Sequence, residues 1–372
     1  MRSDWNMMLA TLLGVAAVLA GGTVLASAQD GPAGLTKPAV FAPFDPKAPA
    51  CSPPPGLNKV LAFAQDNERE FMQGVDRGLA AAAKDRGLEY RRALANNDAA
   101  KGVEQVQLFL ASKIGGLVAA PVDPASMSRS LQELIWSGAY VGTIVPPPAT
   151  SLLNAPQYET GKVLAEAAAA SNVVILSHDS MEFLAPRFAA MRDIFKAMPD
   201  VTIVADISPN PVNKEGGFAT MSTILQAHPD VDVVLGADTV VLGALAALEA
   251  AGKARPDQFL GGIDGEPEAV AAIKKGGGPY KASISLASPV FAYAMGQHAA
   301  DWLEGKSIPQ AMDILPVALT SDYMAQYEAD VADPAAVYKD PKRRDIYLRM
   351  YGNICYDTRD QYVNFPWSSE AK

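Results

Sequence analysis

The chain has 372 residues, 49% of them hydrophobic and 19% charged, which suits a globular protein with room for two domain cores. A net charge of -10 excludes a nucleic-acid surface, which needs clustered Lys and Arg; Lys342-Arg343-Arg344 is too short to supply one.

The first element in chain order is an export signal over residues 1–28. Arg2 opens it, an apolar segment runs from Met7 towards Ala20, and Ala26-Ser27-Ala28 forms a small-x-small cleavage site before Gln29. Residue Asp4 is atypical of the charged end. The apolar character continues to Ala26, so an uncleaved membrane anchor stands as the rival reading. No Cys marks the cleavage point, so a lipid anchor is not expected, and the expected location is the periplasm.

Residues 29–56 carry eight prolines and read as an extended Pro-rich linker without a core of its own. The sequence has two cysteines, Cys51 and Cys355, before and near the end of the main body. In an oxidising compartment they are expected to form a disulfide that ties down both ends; two unpaired thiols are the alternative.

From Lys59 onward, short apolar runs alternate with helical patterns. Residues 60–64 read as a strand, and Phe71, Val75, Leu79 and Ala82 mark a helical stripe. A weaker strand over 88–94 precedes a helix capped by Asn97 or Asp98, with Val103, Val106 and Leu110 facing inward. Strand 117–120, helix 127–135 and strand 140–145 follow. Beyond the break at Pro146-Pro147-Pro148 come strands at 173–176, 201–205, 233–235 and 259–263. Between them lie helical patterns containing Phe188, Met191 and Phe195, then Met221, Ile224 and Leu225, then residues 239–250. Two successive sets of this alternation predict an α/β protein of two lobes, each a parallel sheet covered by helices. Ligands of such sheets bind beyond the carboxyl ends of the strands, so the loops there carry function.

Three segments carry a resemblance: Ala119-Ala-Pro-Val-Asp123, Gly236-Ala-Asp-Thr-Val-Val-Leu-Gly-Ala244 and Gly262-Ile-Asp-Gly-Glu-Pro-Glu268. With His228-Pro-Asp-Val-Asp232 and Ala247-Leu-Glu-Ala-Ala-Gly252, they make residues 59–324 resemble the type I periplasmic binding proteins, in particular the ribose- and galactose-binding branch that delivers sugars to ABC importers. The resemblance implies two Rossmann-like lobes joined by a three-crossover hinge. The N-terminal lobe would take residues 57–170 and 286–311, and the C-terminal lobe 171–285 and 312–325. Residues 326–372 would be a C-terminal extension beyond the family's usual end, expected to pack onto the body.

The resemblance also implies site residues. Asp264 matches the family's ligand-accepting Asp; the bland reading is a turn-former beside Gly265. Arg187 falls near its ligand-binding Arg, whose planar fork suits a hydroxyl pair or carboxylate; the alternative is a surface Arg. Phe71 and Met72 match an aromatic pair, with core packing as the plain alternative. Arg69 and Glu70, with Asp66 and Asn67 in the same loop, offer polar contacts or a solvated loop. At other family positions the ligand partner is replaced: Ala120 for an Asn, Pro146 and Pro147 for an Asp-Arg pair, Leu286 for a Gln, and Val212 for an aromatic. Where the family has Asn then Asp, this chain has Ala237 then Asp238. Ala237 therefore faces the ligand, and Asp238 is expected to cap the following helix.

His178-Asp179 follows strand 173–176 and so faces the cleft. The pair invites a catalytic reading, yet no recognisable nucleophile or metal-ligand motif surrounds it, and a hydrogen-bonding wall residue is expected instead. No catalytic residue, metal or cofactor is expected. The expected function is a periplasmic solute-binding protein that closes around a sugar or sugar-like molecule and presents it to an ABC permease in the inner membrane. Because so many polar partners are replaced, a less polar ligand of terpenoid or sterol type is the alternative. A ligand sensor for a membrane receptor and an enzyme built on the cleft are the other classes. A repressor with the same lobes would need a basic helix-turn-helix pattern, and no such pattern is found.

Overall fold

The computed structural model describes residues 34–37, 39–144, 148–168 and 171–370. The expected export signal and Pro146 lie outside these. None of the helices among the described residues is long and apolar enough to cross a membrane.

The chain first builds β1 (Asn58–Gln65), α1 (Glu70–Asp85), β2 (Glu89–Leu94), α2 (Ala99–Ala111) and β3 (Ile114–Ala119). It continues through α3 (Pro124–Trp136), β4 (Tyr140–Ile144) and β5 (Ser151–Asn154). β3 is buried along its whole length, and β1 over its last six residues, as parallel strands covered on both faces must be. Asp98 starts α2 by accepting from the N–H of Lys101 at 3.1 Å, and Asp123 starts α3 the same way from Ala125.

A second set follows: α4 (Gln157–Glu166), β6 (Asn172–Leu176), α5 (Ala185–Lys196), β7 (Thr202–Ile207), α6 (Lys214–Ala227), β8 (Val233–Leu235) and α7 (Asp238–Ala250). It ends with β9 (Phe259–Ile263), α8 (Pro267–Lys275) and β10 (Tyr280–Ser285). Then come α9 (Ser288–Leu303), β11 (Ala311–Ile314) and β12 (Val317–Leu319). The chain closes with α10 (Met324–Ala332), α11 (Pro334–Lys339), α12 (Pro341–Tyr347) and β13 (Leu348–Tyr351).

Two sheets result. The first lobe holds seven strands in the order β13-β11-β5-β4-β3-β1-β2, and the second holds six in the order β12-β10-β9-β8-β6-β7. All pairings are parallel except β12 on β10 and β13 on β11. The expected two-lobed α/β architecture is what the chain adopts.

The places where the chain changes lobe differ from those the resemblance implies. It leaves the first sheet after Asn154, not near residue 170, because the buried face of α4 (Thr160, Gly161, Leu164, Ala165) packs on α5, β9, β10 and β12. It returns after Ser285, since α9 lies against α1, β3 and β4. β11 stays in the first lobe beside β5, so the next exchange falls at Leu315-Pro316. A further exchange over residues 320–323 brings the chain back to pack α10 and α11 on α9.

Residues 39–56 are not a free tether. They have no helix or strand, yet Phe41 packs on Trp367 with ring centroids 5.7 Å apart, and Trp367 meets Tyr351 at 5.3 Å. Leu35 bridges Val363, and Cys51 is joined to Cys355 with their Cα atoms 6.1 Å apart. Aromatic side chains in the C-terminal extension supply the core that the Pro-rich segment lacks.

Candidate ligand-binding cleft

The two lobes face each other across the carboxyl ends of their strands. On the second lobe, β9 delivers Asp264 with φ of +115°, in a region that residues with a side chain rarely occupy. Its carboxylate has no hydrogen-bond donor among the described residues. The side chain is exposed to water. Desolvation pushes this carboxyl up to about 6, opposed by Arg187 and by Arg69, while Glu266 adds to the rise. Arg69 comes from the first lobe, so the field at Asp264 is set from both sides of the cleft.

Arg187 is only 6% exposed. Its Nε donates to Gln157 Oε1 at 3.0 Å, and the two terminal nitrogens have no hydrogen-bond partner among the described residues. Burial lowers the pKa of the guanidinium and the Asp264 carboxylate opposes the shift. The backbone of α5 reaches this place because α4 presents Gly161 to it: a Cβ there would lie 1.8 Å from the Arg187 carbonyl oxygen. A buried cation and a carboxylate without a donor sense each other without a direct hydrogen bond, an arrangement chemically matched to a molecule carrying both donors and acceptors.

Asp238 is neither a ligand group nor a cap. It is the first residue of α7 and fully buried, and its carboxylate turns into the lobe rather than back to the helix N–H groups. It accepts from Tyr280 Oη at 2.7 Å, Ser283 Oγ at 2.7 Å and the N–H of Glu266 at 2.8 Å. Three donors outcompete the helix end, and Gly262 leaves the room: a Cβ there would meet Asp238 Oδ1 at 1.8 Å. Ser283 Oγ also accepts from the N–H of Gly265 at 3.0 Å. Asp238 and Ser283 therefore hold the turn that presents Asp264. The sequence signal for this, a lone acid between two apolar runs, is the same one a cap gives; the partners lie 28 to 45 residues away.

Ala120 is buried at the end of β3. Ala237 and Leu286 are half-buried at strand ends of the second lobe. Phe71 and Met72 are half-buried at the start of α1, with the Phe71 ring 5.7 Å from Phe291. Glu70 is drawn along α1 by Arg77, which donates to it at 2.6 Å, so it is engaged by its own helix. Asp66 is occupied by Asn67, whose N–H donates to it at 2.7 Å. Val212 stands exposed after β7. His178 is half-buried, but Asp179 is bound by Arg192 at 2.5 Å and is not its hydrogen-bond partner, which removes the dyad behind the enzyme reading.

Two groups escaped the sequence reading. Gln65, fully buried at the end of β1, has an Oε1 without a partner among the described residues, and so has the Oγ1 of Thr143 near the end of β4. Thr143 sits inside the strand read over 140–145, and Gln65 falls one residue past the apolar run 60–64, so neither stood out as a site residue.

Two α/β lobes, each a mostly parallel sheet covered by helices, define the class of fold. Comparison with known proteins gives the family: a periplasmic binding protein domain matches residues 60–307, and the chain belongs to that family. It is 24% identical over 262 residues to the ribose import binding protein RbsB of Bacillus subtilis, covering 65% of this chain and 80% of that protein. It is 37% identical over 106 residues to the D-apiose import binding protein of Actinobacillus succinogenes, covering 28% of this chain and 33% of that one. Among solved structures, a periplasmic ribose ABC transporter protein from Conexibacter woesei superposes with a TM-score of 0.65 at 18% identity, over 75% of this chain and 97% of its own.

Proposed function

We propose that this protein is a periplasmic solute-binding protein of an ABC importer, which takes a sugar or sugar-like molecule between its lobes and hands it to a permease in the inner membrane. The observation that carries the reading is the Arg187–Asp264 pair: the two terminal nitrogens of a guanidinium already anchored through its Nε to Gln157, and one carboxylate, have no hydrogen-bonding partner among the described residues. A vicinal diol satisfies both at once, donating to the carboxylate and accepting from the guanidinium. The import proteins for ribose and apiose among its relatives support the sugar class.

The replaced positions narrow the ligand further. Ala120, Ala237 and Leu286 offer no hydrogen bonds through their side chains, and Phe71 and Met72 add apolar surface. These favour a molecule with a polar edge towards the second lobe and an apolar edge elsewhere, such as a deoxy or alkyl-substituted sugar. A thermal-shift panel of pentoses, hexoses, inositols, deoxy sugars and apolar metabolites is expected to give one clear stabiliser. Arg187→Ala and Asp264→Ala should each abolish most of that shift, a loss of about 1–3 kcal/mol of binding. A flat response to every sugar overturns the sugar reading.

A further inference from the structure

The chain beyond β12 lies outside the matched family domain, is built onto one lobe, and touches the other. Its anchorage to the first lobe is extensive. β13 pairs with β11 from Ala311–Tyr351 to Ile314–Leu348, α11 packs on α9, and Cys355 is bonded to Cys51. Buried Asp330 knits the segment internally, accepting from Gln326, Arg343 and Tyr347.

From that anchorage three side chains reach the second lobe. Tyr327 Oη lies 2.7 Å from Ser285 Oγ, at the last residue before the chain crosses to α9. Glu328 binds Lys274, near the end of α8, at 2.7 Å. Glu370 accepts from the N–H groups of Tyr158 and Glu159 at 3.1 and 2.8 Å. Those two N–H groups belong to the first turn of α4, just after the first crossing. The α4 N-terminus has no side-chain cap of its own, because Pro156 occupies the cap position. Glu370 therefore caps a helix of one lobe from a tail fixed to the other, where the helix dipole also favours a carboxylate.

We propose that the C-terminal extension is a brace across the hinge, and that Glu370, Tyr327 and Glu328 are positioning residues that set the angle between the lobes and thereby the spacing of the ligand groups. Rotation about the crossings that moves α4 away from the tail, or α8 away from α10, must break these contacts. The brace thus narrows the range of lobe angles before ligand arrives. Its link to binding rests on the cleft reading given above; its effect on lobe angle does not.

The test is small-angle X-ray scattering of the ligand-free protein alongside a variant carrying Glu370→Ala, Glu328→Ala and Tyr327→Phe, with Lys342→Ala, exposed on the extension, as the control. The triple variant is expected to show a larger radius of gyration than the wild type and the control. Ligand affinity is expected to fall about three- to tenfold, because a smaller fraction of molecules then holds the binding-competent angle. Superimposable scattering curves for variant and wild type overturn the proposal. Should the triple variant fail to fold, Glu370→Ala alone, which removes only the two hydrogen bonds of the tail to the start of α4, decides by the same curve. If no sugar binds the wild type, the scattering result still judges the brace, and only the functional reading falls.

Discussion

Asp238 shows how a buried acid can be recruited as a strut and what that does to stability. Desolvation pushes its carboxyl up to about 7, against the pull of Ser283, the Glu266 N–H and Tyr280, with Asp264 adding to the rise. A raised carboxyl stabilises the folded state fully below its unfolded value near 3.9, and that contribution is lost as pH rises through 7. Asp238→Asn imitates the protonated acid and cannot titrate. The urea midpoint of the wild type is therefore expected to drop between pH 5 and pH 8 more steeply than that of Asp238→Asn; parallel pH profiles would refute the assignment. From sequence, Asp238 was visible as an isolated charge but its partners were not. Tyr280 and Ser283 belong to β10, which neighbours Asp238 only after β9 and β10 pair in parallel. Asp264 was legible because strand end, following Gly and family motif coincide at one residue.

At the level of elements, strands buried on both faces announced themselves. Val173–Leu176 and Val233–Leu235 are unbroken apolar runs, and each became a strand within a residue of its expected bounds. β5 and β11 were silent: four residues each, the first separated by two residues from a run of prolines, they owe their strand form to pairing with one another and with β4 and β13. Tertiary pairing, not local preference, makes such short strands. Helix contacts are likewise set by what is missing from a side chain, as at Gly161 against the Arg187 carbonyl. Gly161→Ala must push α5 away from α4. We expect a loss of about 1–3 kcal/mol by overpacking, together with weaker ligand binding because Arg187 moves with α5. Isothermal titration and thermal melts of the same preparation check both; a variant with lowered melting temperature but unchanged affinity would detach Arg187 from the site.

Over the whole molecule, the two-lobed plan was readable from the alternation of patterns, whereas the docking of residues 39–56 onto the extension was not. Prolines and scattered aromatics such as Phe41, Tyr351 and Trp367 carry no periodicity, and only the folded chain shows that they share one cluster. The Cys51–Cys355 bond ties that cluster to the body. Replacing both cysteines with serine is expected to cost about 2–5 kcal/mol by freeing a very long loop in the unfolded chain. Denaturant melts with and without reductant measure this, and an unchanged midpoint would show that packing alone holds the two ends. The spacing of the two cysteines also fixes when each becomes available. Cys51 leaves the ribosome 304 residues ahead of Cys355, which at about 5–20 residues per second is roughly 15 to 60 s. Throughout that interval the early thiol is solitary, for the sequence offers no third cysteine. Among the residues of this sequence no internal mispairing is open to either sulfur; a wrong partner has to come from another molecule once the chain reaches an oxidising compartment.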